Sequence, residues 1–112
     1  MLKNNVLRKN SDFDAVYKKG KSIGDRYVVL FYKKNKFQYN RTCFLASKKV
    51  GNSVARNRAK RLMKESYRLM ADSLQTGYDF IIIARATITT KKRMDVEKSL
   101  GSAFKRAGVM KR

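Results

Sequence analysis

With 112 residues the chain can bury one modest core and not two, and no apolar run reaches the roughly 18 residues of a membrane span. Its 28 lysines and arginines against 8 aspartates and glutamates leave a charge of +20 and a pI near 10.5, spread along the whole sequence, which points to nucleic acid rather than a membrane surface as partner. Cys43 is the only cysteine and histidine is absent, so an internal disulfide and the usual zinc ligand set are excluded; a metal would have to come through oxygen ligands or a bound partner.

In chain order, the stretch from Met1 to Asn10 has neither the apolar region nor the cleavage site of a secretory signal, so the expected location is the cytoplasm. Ser11-Asp12-Phe13-Asp14 has the Ser-x-x-acid form of a helix N-terminus, with Ser11 as cap and Asp12 and Asp14 suited to the positive end of the dipole. Gly20 supplies a left-handed stop. Between them Phe13, Val16 and Tyr17 fall at i, i+3 and i+4, a narrow and mostly aromatic face on an otherwise polar helix.

Tyr27 to Tyr32 is an unbroken β-branched and aromatic run followed by the turn-like Lys33-Lys34-Asn35-Lys36, which predicts a strand. A second strand near Thr42 to Ser47 follows a loop short enough for an antiparallel hairpin. Alternation sends Tyr27, Val29 and Phe31 to one face and Val28, Leu30 and Tyr32 to the other, so both faces are apolar and the second needs a helical layer or a ligand. A short extra strand around Lys21 to Ile23 is compatible with the same sheet.

Asn52 or Ser53 opens a long helix that runs toward Gly77. At about 100° per residue, Ala55, Ala59, Leu62, Ser66, Leu69 and Met70 gather on one side with Met63 close by. Arg56, Asn57, Lys60, Lys64 and Arg68 gather opposite, flanked by Arg58 and Arg61. Tyr78 to Arg85 reads as a near-continuous buried strand, reached by a crossover from a parallel neighbour. Thr89-Thr90 is placed to cap a last helix in which Val96, Leu100, Ala103, Phe104 and Ala107 keep helical spacing. The order helix, strand, strand, helix, strand, helix predicts one α+β domain over residues 1–112, a sandwich with helices on at least one face of a sheet.

The acids Asp12, Asp14, Asp25, Glu65, Asp72, Asp79, Asp95 and Glu97 form no paired-acid motif, and no phosphate loop or nucleophile elbow is present. Asp72 and Asp79 read as ordinary surface acids. The basic helix is more informative: Arg presents a planar fork to phosphate, and Asn57 between two arginines can read a base edge or a sugar hydroxyl. A solvated cationic face is the alternative, but Glu65 is the only acid between Lys48 and Arg68, so acidic partners at i, i+4 are scarce. The aromatics Phe13, Tyr17, Tyr27, Phe31 and Tyr32 fit a core, or a groove edged by Phe13 and Tyr17 and floored by Val29 and Phe31, where bases stack at about 1–3 kcal/mol each.

Ser47-Lys48-Lys49-Val50-Gly51-Asn52-Ser53-Val54-Ala55-Arg56-Asn57-Arg58-Ala59-Lys60-Arg61 resembles the signature of the bacterial ribonuclease P protein subunit, whose helix carries an Arg-Asn-Arg core. The resemblance takes in Asp12-Phe13 and Val16-Tyr17 followed by Gly20, the run from Arg26 to Phe31, and Ile81-Ile82-Ile83-Ala84-Arg85, and so covers nearly the whole chain. It implies a two-layer α+β fold like the second domain of a small-subunit ribosomal protein. In that fold a mixed sheet of roughly four strands contains a left-handed crossover, against the usual right-handed rule.

The resemblance also implies that a catalytic RNA subunit, using RNA-bound Mg²⁺, removes the 5′ leader of precursor tRNA, and that no residue of this chain is catalytic. Arg56, Asn57, Arg58, Lys60, Arg61 and Lys64 would bind that RNA. Phe13, Tyr17, Val29, Phe31, Ser47, Lys48 and Lys49 would hold the leader in a cleft between the first helix and the sheet. Tyr17 and Phe31 exchange Phe and Tyr relative to the family pattern, which keeps the stacking faces and moves a hydroxyl. No obligate protein partner is implied. Two other classes stay open: a general basic or ribosomal RNA-binding protein, and a protein-only nuclease.

Overall fold

The computed structural model describes residues 5–111; residues 1–4 of the N-terminal stretch read above, and residue 112, lie outside them. The elements are α1 (Asn10–Lys19), β1 (Lys21–Gly24), β2 (Val28–Lys34), β3 (Arg41–Leu45), α2 (Ser53–Met70), β4 (Tyr78–Ala84) and α3 (Arg93–Ala107). The strands form one mixed sheet of order β1-β2-β4-β3, with β3 parallel to β4 and the other pairs antiparallel. The α+β class, the extra strand and the parallel crossover through α2 are as expected.

The expected β2–β3 hairpin does not form. β4 carries apolar residues on both faces, so it takes a central position, and it separates the two strands. The connection from β2 to β3 is fixed to β4 instead: Asn40 Nδ2 donates to the Gln75 carbonyl and its Oδ1 accepts the Tyr78 amide, both at 2.8 Å. Asp79, read as a surface acid, is buried, because Arg41 grips it with two bonds of 2.8 and 2.7 Å and Asn35 donates a third at 2.9 Å.

Alternation along the strands divides the core. Val28, Leu30, Phe44, Phe80, Ile82 and Ala84 point to one face, where α2 and α3 bury them under Ala59, Met63, Tyr67, Val96, Leu100, Ala103 and Phe104. Ile81 points to the other, where α1 supplies Val16 and the N-terminal segment supplies Leu7. Tyr27 lies before β2 in a bend, so it leaves the strand alternation, packs against the larger core and gives its amide to Ser99 Oγ.

The helix ends differ from expectation in ways the packing explains. α1 begins one residue before Ser11, which is inside the helix, and its cap position is Lys9 without a side-chain bond. Gly20 ends α1 in an extended conformation; it is required because a Cβ there would lie 2.4 Å from the Val16 carbonyl oxygen and 2.6 Å from that of Tyr32. α2 starts as expected, with the Asn52 side chain accepting the Ala55 amide at 2.9 Å, but stops at Met70. Ala71–Ser73 then tighten into a 3-10 turn that delivers Leu74 to the core, and Gly77, at φ +92°, serves the turn into β4. The buried face of α2 is Ala59, Met63, Ser66 and Tyr67, while Leu69 stays half-exposed. Thr89 and Thr90 belong to a separate 3-10 turn anchored by Ile88; α3 starts after Lys92, whose amide is capped by the Asp95 carboxylate at 3.0 Å.

Candidate nucleic-acid interface

β3 is an edge strand, and the chain runs from it through Ser47-Lys48-Lys49-Val50-Gly51 directly into α2. The turn is closed by the Val50 amide on the Ser47 carbonyl, at 3.0 Å, and the Gly51 amide on the Lys48 carbonyl, at 3.1 Å. Val50 is buried and pins the turn to the core, and Gly51 takes φ +144°, which favours glycine. Ser47, Lys48 and Lys49 are left exposed at the mouth between sheet and helix.

On the α1 face, Phe13 and Phe31 are half-buried against Leu7, Val16 and Ile81, together with Cys43, Leu45 and Ile83. Tyr17 is 43% exposed and meets the Phe31 ring edge-on at 5.0 Å. Burial raises the Tyr17 phenol above its ordinary pKa, and the neighbouring Cys43 adds to this. Val29 shares this face by alternation and is half-buried. The structure therefore gathers Phe13, Tyr17, Val29 and Phe31 on one surface, with Tyr17 exposed and the other three half-buried. Sequence reasoning missed Cys43, Leu45 and Ile83 in the floor; the alternation of β3 and β4 was the signal for them. Tyr27 and Tyr32 pack toward the opposite core and are not part of this surface.

The basic residues of α2 wrap the outer side of that helix. Burial raises the Cys43 thiol pKa, and the charges of Lys60 and Lys64 work against it. Asn57, Arg61 and Lys64 are exposed, and Arg56 and Lys60 half so. Arg58 turns the other way: its guanidinium donates to the carbonyls of Thr89 and Lys91, at 3.2 and 2.7 Å, and so ties α2 to the turn before α3. Arg68 pairs with Glu65 at 2.9 Å on the surface. Tyr67, which sequence reasoning passed over, anchors the helix among the rings of Phe44, Phe80 and Phe104, and burial pushes its pKa up to about 12 against a hydrogen bond with Asn40.

Comparison with known proteins decides what this combination belongs to. The family model described as Ribonuclease P matches residues 1–108. The chain belongs to the ribonuclease P protein family. It is 46% identical to the ribonuclease P protein component of Clostridium acetobutylicum over 111 residues, 97% of this chain and 93% of the relative. It is 47% identical to that of Clostridium botulinum over 109 residues, 96% and 98% of the two chains. Among solved structures, the Staphylococcus aureus RNase P protein at 2.0 Å superposes with a TM-score of 0.86 at 32% identity, covering 96% of this chain and 98% of that one. The Thermotoga maritima RNase P protein gives 0.82 at 28% identity, over 90% and 96%. The fold is thus the ribonuclease P protein fold, and it carries the aromatic surface under α1 and the basic side of α2.

Proposed function

We propose that this protein is the protein subunit of ribonuclease P, that α2 binds the catalytic RNA, and that the cleft holds the 5′ leader of precursor tRNA. The observation that carries the reading is continuity: β3 contributes Cys43 and Leu45 to the cleft floor, and the same strand feeds through the Ser47–Gly51 turn into the basic helix. One rigid segment thereby orients two RNA-facing surfaces. Arg56, Asn57, Lys60, Arg61 and Lys64 supply phosphate and base contacts on α2, with Arg58 holding the helix against the turn before α3. Phe13, Tyr17, Val29 and Phe31 supply stacking surface for leader bases, and Ser47, Lys48 and Lys49 meet the strand where it leaves the cleft.

Hydrolysis is assigned to the RNA subunit and its bound Mg²⁺. Among the described residues no group of three or more Cys, Asp or Glu side chains is placed to hold a metal ion, and the better-buried acids are occupied by arginines. The protein's contribution is electrostatic and positional: its +20 charge lowers the repulsion between two RNAs, and the cleft adds leader affinity. Reconstitution tests the reading. Adding this protein to ribonuclease P RNA should restore cleavage of precursor tRNA at low Mg²⁺, and the protein alone with Mg²⁺ should cleave nothing. Cleavage by the protein alone would make it a protein-only nuclease; no gain on reconstitution would leave a general RNA-binding protein.

A further inference from the structure

On the α2–α3 side of the sheet, α3 ends at Ala107, short of the last rungs of β2 and β4. A cavity of about 300 Å³ opens there, lined by Lys19, Gly20, Lys21, Tyr32, Lys33, Lys34, Tyr78 and Ala107. The register fixes its shape. Lys21 stands opposite Tyr32, and Lys34 opposite Tyr78, so two tyrosines and two lysines share one face. Tyr32 and Tyr78 are half-buried against the edge of the main core, and the Tyr78 ring lies parallel to Phe80 at 5.7 Å. Gly20 lets the end of α1 press onto the β2 backbone, which brings Lys19 to the same opening.

The charge at this cavity is one-sided. No acid lines it. Asp79, next to Tyr78 in the chain, points to the other face and is taken by Arg41. The ion pairs among the described residues are all made by arginines, so none of these four lysines has an acidic partner. Lys33, opposite Asp79 in the register, belongs to the other face, and its ammonium donates to the Lys34 carbonyl at 3.1 Å. The Lys19, Lys21 and Lys34 ammonium groups around the aromatic floor repel one another unless an anion sits between them. Aromatic rings edged by lysines are the chemistry of a single-stranded nucleic-acid contact.

We propose that this cavity is a second RNA-contact site, on the sheet face opposite the cleft. It takes one unpaired nucleotide, its base against Tyr32 and Tyr78 and its phosphates between Lys19, Lys21 and Lys34. The proposal rests on the reading of the protein as an RNA-binding subunit. The strand is supplied by the catalytic RNA or by the body of the precursor tRNA, and it makes the protein a wedge contacted by RNA on both faces of its sheet.

The test uses the full chain carrying Lys19→Gln, Lys21→Gln and Lys34→Gln, three exposed positions, in salt titrations against ribonuclease P RNA alone and, as holoenzyme, against precursor tRNA. One of the two RNAs should lose about tenfold in affinity, with the slope of log K against log salt falling by about 0.7–0.9 per lost contact, and the RNA affected identifies the source. Tyr78→Leu should weaken the same RNA severalfold while Tyr78→Phe leaves it unchanged; the lysine variant carries the test if Tyr78→Leu does not fold. Arg61→Ala with Lys64→Ala serves as the reference for α2. Unchanged affinities in the lysine variant beside a loss in the α2 variant would overturn this site and leave the proposed function standing. No loss in either variant would overturn both. Equal weakening toward both RNAs with no effect of Tyr78→Leu would reduce the cavity to general charge and overturn it as a site.

Discussion

The two faces of the sheet are built from the same kind of residue and finished differently. Toward α2 and α3, Leu30, Phe80, Ile82, Leu100 and Phe104 are sealed from solvent; toward α1, Leu7, Val16 and Ile81 are sealed while Phe13, Phe31 and Tyr17 keep part of their rings in water. The cause is coverage. Two helices of 18 and 15 residues lie on the first face, and one of 10 residues lies on the second. A face with too little helix over it cannot close, and its unspent aromatic surface is what a leader strand can use. Stability therefore resides mainly on one face, and the other keeps the exposed aromatic surface that the proposed leader contact would use.

Substitutions should separate the two roles. Phe80→Ala, at the centre of the ring cluster with Tyr67, Tyr78 and Phe104, is expected to cost about 3–5 kcal/mol in denaturant unfolding. Asp79→Ala should come next, about 3 kcal/mol, because Arg41 would be left inside the protein without its main partner. Gly20→Ala should cost about 1–3 kcal/mol, since the two atoms its Cβ would meet most closely, the Val16 and Tyr32 carbonyl oxygens, are backbone and cannot swing aside. Phe31→Ala should behave in the opposite sense, losing less stability than Phe80→Ala while weakening leader binding by about 1–3 kcal/mol, read from the affinity for precursor tRNA with and without a leader. Equal stability losses for Phe80→Ala and Phe31→Ala would erase the distinction between the faces.

The smallest effect concerns the hairpin between β1 and β2. Burial alone would raise the Asp25 pKa, but hydrogen bonds from Ser99, the Arg26 amide, Arg106 and Ser102 outweigh it and bring the carboxyl to about 2. A depressed carboxyl stabilises the fold above its unfolded value of 3.8, and that contribution is lost as pH falls toward about 2. Thermal unfolding of wild type and Asp25→Asn should accordingly differ at neutral pH and converge as pH drops through that window. A constant gap down to pH 2 would remove Asp25 from the account.

Much of this was legible in the sequence because it is local. The Asn52 cap, the basic side of α2, the aromatic face of α1 and the apolar runs of β2 and β4 each announce themselves within a few turns or rungs. Strand order was not legible: loop length favoured a β2–β3 hairpin, and only the demand of β4 for cover on both sides places it between them. The end of α2 was missed because Leu74 is called into the core by tertiary packing, against a sequence that could have continued the helix. Arg58 shows the same limit within the site. Its position in the Arg-Asn-Arg core is visible in the chain, but its two bonds to Thr89 and Lys91 depend on where the α3 connection lies. The floor residues Cys43, Leu45 and Ile83 follow from alternation once the register is known.

The central claim is that the under-covered face binds the leader. Its most direct test is the effect of this protein on the affinity of ribonuclease P RNA for precursor tRNAs whose leaders lengthen one nucleotide at a time. The benefit should grow with the first few nucleotides and then level off where the strand leaves the cleft, and Phe31→Ala should flatten the rise. A benefit that is the same for every leader length, including none, would contradict the claim.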